Sequence, residues 1–87
     1  MLVNGIVVEA VEQVGAYRMG SLPWTLTPEA IISVLGEPNV QDDPEKVEHS
    51  WGFTLDGELC GIWDYKGSRW STYGDNEKIQ KVLGIGA

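Results

Sequence analysis

At 87 residues the chain can bury one modest core but not two, so a single domain spanning residues 1–87 is expected. Thirteen acidic against six basic residues give a net charge of −7, which argues against a duplex-DNA or RNA reader, because phosphate contacts need a basic footprint. The single cysteine, Cys60, has no partner for an internal disulfide, and one cysteine with one histidine does not make a conventional zinc site, so neither metal nor cofactor is expected.

The apolar run Gly5–Val8 is bounded by Asn4 and Glu9 and is too short for a signal-peptide core or a membrane span, so a cytoplasmic protein with no membrane contact is expected. A domain this small, without staples, is expected to self-associate as a homo-oligomer. Charge is unevenly spread. Residues 1–58 hold ten acids and two bases, whereas residues 59–87 hold three acids and four bases.

In chain order, the β-branched residues of Leu2–Val14 predict a strand, broken near Asn4-Gly5. Gly15–Leu26, with Gly20, Ser21 and Pro23, reads as a connecting loop whose Trp24 plugs the core or a subunit contact. Residues 1–26 are thus strand and loop, available as an oligomerisation arm. Thr27-Pro28 predicts a helix start, with Ile31, Ile32 and Leu35 inward and Gly36 with Pro38 as the stop.

Residues 39–45 form an acidic loop without the ligand spacing of a calcium site. Alternation then begins at Lys46, and Asp56-Gly57 predicts a tight hairpin in which paired positions sum to 113. One face would carry Val47, His49, Trp51, Phe53 and Leu55 opposite Lys66, Asp64, Ile62, Cys60 and Glu58. The other would expose Trp63 and Tyr65. A third strand is expected over Arg69–Tyr73, and Asp75 caps a last helix that turns Ile79, Val82 and Leu83 inward and stops at Gly84. The expected fold is α+β: a small antiparallel sheet of three to four strands about the central hairpin, with two short helices. Residues 27–87 supply its helix-hairpin-strand-helix core.

Six of the eight aromatics fall between residues 51 and 73, beside the cations and hydroxyls of the Lys66–Tyr73 segment. Trp51, Phe53 and Trp70 are expected to fill the core. Trp63, Tyr65, Lys66, Ser68, Arg69 and Tyr73 are the candidate binding residues, since aromatic faces stack on ring compounds while cations and hydroxyls hold anionic groups. The same residue types also dominate protein interfaces.

His49 and Asp64 face each other in the predicted register as a polar pair in which the carboxylate fixes the imidazole tautomer. Cys60 lies four strand positions from Asp64, roughly 13 Å at ~3.3 Å per residue, so no Cys-His nucleophile forms and no catalytic residue is assigned. The protein is expected not to be an enzyme. Asp42, Asp43 and Glu45 make an alternative acidic face for a basic partner.

Leu35-Gly36-Glu37-Pro38-Asn39, Lys46-Val47, Trp51-Gly52-Phe53, Asp56-Gly57 and Gly61-Ile62-Trp63-Asp64-Tyr65-Lys66, followed by Trp70 and Gly74, resemble short phage-encoded proteins without an assigned function. The likeness spans roughly residues 33–83. It implies a phage accessory protein in the host cell cytoplasm, of the kind that inhibits or sequesters components of host defence, and it draws attention to Lys46, Asp64, Tyr65, Lys66 and Trp70. Three functions are therefore expected in turn. The first is stoichiometric capture of an anionic, nucleotide-like small molecule. The second is acidic, protein-directed inhibition of a host defence or nucleic-acid enzyme, in the manner of an anti-CRISPR protein. The third is a minor structural role in the virion.

Overall fold

The alternating pattern and the turn residues resolve into β1 (Leu2–Val3), β2 (Ile6–Ala10), β3 (Gly20–Ser21), α1 (Pro28–Leu35), β4 (Val47–Leu55), β5 (Glu58–Tyr65), β6 (Trp70–Tyr73) and α2 (Asn76–Leu83). This computed structural model describes residues 1–12, 17–23, 25–40, 47–65 and 70–85. All strand pairs are antiparallel and form one six-stranded sheet in the order β1-β2-β4-β5-β6-β3. The fold is α+β as expected, but the sheet is larger than three to four strands. Two of its members, β1 and β3, are stubs of two residues whose shortness left no alternation to read.

The central hairpin turns at Asp56-Gly57, where φ is 51° and 86°. Positive φ at both positions matches the twist of the flanking strands and favours aspartate and glycine there. Asn4-Gly5, with φ of 49° and 83°, makes a second reversal of the same kind between β1 and β2. The expected strand over residues 2–14 is therefore broken where its sequence indicated, and its second half ends at Ala10.

Pairs from Ser50↔Trp63 to Leu55↔Glu58 keep the expected sum of 113, but Val47 pairs with Tyr65 rather than with Lys66. The slip has a local cause. The backbone N–H of His49 donates to Asp64 Oδ1 at 2.5 Å, so a side-chain carboxylate stands in for a ladder carbonyl and the strand bulges.

The expected loop over residues 15–26 contains β3. Met19 N–H donates to the Thr72 carbonyl and Leu22 N–H to the Trp70 carbonyl, which brings this segment to the edge of β6. Gly20 is read locally as a breaker, yet here it permits contact. A Cβ at this position would meet the Asn76 side-chain nitrogen at 2.9 Å and Thr72 Oγ1 at 3.0 Å. Trp24 lies outside the described residues.

One sheet face carries the core. Ile6, Val8, Trp51, Phe53, Leu55, Cys60, Ile62 and Trp70 are buried there against Leu22, Ile31, Ile79 and Val82, so both helices cover the same side. Burying a side chain of this size stabilises by about 1.5–3 kcal/mol, and the contiguous cluster is the main source of stability. Thr27 Oγ1 accepts from Ala30 N–H and Asp75 Oδ1 from Lys78 N–H, which fixes the two helix starts as the sequence predicted. Of the expected inward residues, Ile31, Ile79 and Val82 are fully buried, while Ile32, Leu35 and Leu83 pack at the margin.

Candidate functional site

Alternation along β4, β5 and β6 sends every second residue to the helix-free face. Across its centre run two rows set by the register. Ser50, Trp63 and Ser71 form one, and Gly52, Gly61 and Tyr73 form the next. Small residues on either side leave Trp63 as the one large side chain of its row. Ser50 and Ser71 are buried, and Trp63 is half-buried rather than exposed as expected.

Ser50 Oγ has no hydrogen-bond partner among the described residues. The glycine row makes a shallow floor ending at Tyr73, whose ring meets that of Tyr17 edge-on with centroids 5.4 Å apart. Tyr17, Met19 and Leu59 are exposed around this floor. Tyr17 and Met19 were not singled out from sequence, because they join the face only through the pairing of β3 with β6.

Of the sequence-derived binding residues, the structure therefore brings Trp63 and Tyr73 to one face. Lys66, Ser68 and Arg69 lie outside the described residues, as does the Tyr65 side chain. In sequence that segment follows β5, which ends at Tyr65, and precedes β6, which starts at Trp70. The acidic Asp42, Asp43 and Glu45 also lie outside the described residues.

The polar pair forms on the opposite, helix-bearing face. His49 Nδ1 lies 2.8 Å from Asp64 Oδ2, and the imidazole stacks on Trp51 with centroids 5.9 Å apart and planes 12° apart. A carboxylate only accepts, so Nδ1 carries the donated proton and Nε2 keeps the lone pair in the neutral ring. Trp51 and Trp70 are anchored in turn, their indole N–H groups donating to the carbonyls of Gly36 and Leu26 at 2.8 and 2.7 Å. The arrangement holds the imidazole rigidly. Ser71 lies on the other side of the sheet, and Thr72 Oγ1 accepts from the Asn76 side chain at 3.0 Å.

Cys60 is buried beside Phe53 in the register, four strand positions from Asp64, and burial pushes its thiol up from the ordinary value. Its chemistry is that of a small apolar side chain. No group of three or more metal-ligating side chains forms among the described residues.

Asn39, the first residue of the expected acidic loop, is also a structural plug. Its Nδ2 donates to the carbonyls of Val11 and Gly52 at 2.8 and 2.9 Å, and its Oδ1 accepts from Gly52 N–H at 2.9 Å. One side-chain amide thus completes the sheet where β2 parts from β4.

The chain matches no family model, no curated protein and no solved structure. No helix among the described residues is long and apolar enough to cross a membrane.

Proposed function

We propose that this protein works by stoichiometric binding, capturing an anionic, nucleotide-like small molecule on the helix-free face of its sheet. The observation that carries this reading is the placement of Trp63 in a row of small residues beside a row of glycines, on the strand that precedes Lys66, Ser68 and Arg69 in sequence. A planar base stacks on Trp63 above the glycine row, and the cations of the β5–β6 connection hold the phosphate groups. The net charge of −7 fits a compact anion held by a few cations near one another in sequence better than an extended nucleic acid. The phage resemblance adds a setting, sequestration of a nucleotide used in host defence.

Calorimetric titration with mononucleotides, dinucleotides and cyclic nucleotides tests the proposal. Saturable binding is expected, weakened by roughly tenfold or more in Trp63→Ala, since stacking contributes about 1–3 kcal/mol per base. Lys66→Ala with Arg69→Ala is expected to abolish it. Absence of binding to every nucleotide, or binding indifferent to both variants, overturns the reading.

The exposed Tyr17, Met19 and Leu59 around the same floor favour a second reading, a protein partner covering this face. That complex would be weakened by Tyr17→Ala and Met19→Ala, positions at the margin of the nucleotide site.

A further inference from the structure

Met19 is 57% exposed, within reach of a dissolved reagent, yet its thioether is held in place. The Gly74 N–H donates to Met19 Sδ at 3.4 Å, and the Met19 backbone N–H donates to the Thr72 carbonyl at 2.8 Å. The donor is as firmly placed as the acceptor. Gly74 follows the end of β6 and precedes the Asp75 cap, and it lies so close to β5 that a Cβ there would collide with Cys60 Sγ and the Leu59 carbonyl oxygen.

A thioether sulfur carries two lone pairs, one on each side of its C–S–C plane, and oxidation of one or the other gives opposite sulfoxide epimers. At Met19 the Gly74 backbone stands on one side, which leaves the other as the side open to attack. A peroxide therefore reacts there alone. The sulfur lone pair attacks one peroxide oxygen, the S–O bond forms as the O–O bond breaks, and the protons leave with the second oxygen as water. The sulfur is oxidised, the peroxide is reduced, and nothing else is consumed.

From this geometry we infer that Met19 is a stereoselective oxidation site, converted by peroxide to a single sulfoxide epimer and restored by only one of the two classes of methionine sulfoxide reductase, each of which accepts one epimer. Met19 stands at the margin of the helix-free face with Tyr17 and Tyr73, so the new oxygen turns an apolar rim polar. The lone pair left on a sulfoxide sulfur is a poor acceptor, so Gly74 loses its bond and the hold of Met19 on the end of β6 loosens. None of this depends on what the face binds.

Limited hydrogen peroxide treatment of the folded full chain, followed by peptide mapping, tests the inference. Native Met19 is expected to oxidise within roughly fivefold of its rate in denaturant, as an accessible thioether does. Reductases of class A and class B, applied separately to the oxidised Met19 peptide, are expected to differ, one returning about nine-tenths of it to methionine and the other the remainder; after oxidation in denaturant each should return about half. Amide exchange at Gly74 is expected to quicken roughly two- to tenfold once Met19 is oxidised. A slower native reaction than this, equal return by the two reductases, or unchanged exchange at Gly74 overturns the inference.

Discussion

Asp64 accepts two hydrogen bonds from His49, one from its backbone N–H and one from its ring Nδ1, so a single carboxylate closes the bulged end of the central hairpin. The two partners are not equivalent. Asp64→Ala removes both acceptors at once, whereas His49→Ala keeps the backbone bond and loses only the ring. Asp64→Ala is therefore expected to cost about 1–3 kcal/mol in chemical denaturation and His49→Ala measurably less. Equal losses would show that the backbone bond contributes nothing.

Asn39 offers a sharper contrast. Asn39→Ala leaves the Gly52 N–H and the Val11 carbonyl without their partner, while the Gly52 carbonyl keeps the Val11 N–H, and is expected to destabilise by about 2–3 kcal/mol. Asn39→Asp keeps the shape but sets a carboxylate against two carbonyl oxygens. Its melting temperature at neutral pH is expected to fall at least as far as that of the alanine variant.

At Gly74 the constraint is steric as well as conformational. With φ at +94°, an added Cβ would stand 2.6 Å from Cys60 Sγ and 2.7 Å from the Leu59 carbonyl oxygen. Gly74→Ala is expected to destabilise by more than about 2 kcal/mol. Adding Cys60→Ala relieves only the sulfur contact, so thermal melts of the double variant should recover little.

Cys60 also gives the protein an alkaline limit. Burial raises its pKa in the folded state, so the contribution is fully present below the unfolded thiol's value of about 8.5 and is lost as pH rises through the higher folded value. Unfolding curves from pH 7 to 10 should show a decline that Cys60→Ala lessens. Alkylation of the native thiol at pH 8 should be much slower than in denaturant.

The parts of the fold legible in the sequence are those whose cause is local. Asp56-Gly57, Thr27-Pro28 and Asp75 carry turn and cap chemistry within a few residues, and the hairpin parity then set Trp51 inward, Trp63 on the other face and His49 across from Asp64. Features missed were those that depend on distant chain. Gly20 and Ser21 read as loop because nothing nearby shows β6 alongside, and the bonding role of Asn39 within its loop was hidden because its three bonds run to β4 and the chain beyond β2. The bulge at His49 was hidden for a related reason. Alternation assumes backbone pairing, and here a side chain replaces it.

The two-residue stubs at either rim have a consequence for how copies of this protein meet. An extended chain adding itself to β1 or β3 finds a row of main-chain donors and acceptors only two residues long, too brief to hold a register. Fibre-like growth through the rims is thereby discouraged. Among the described residues, association is left to side-chain surfaces such as the one Tyr73 shares with the exposed Tyr17 and Met19.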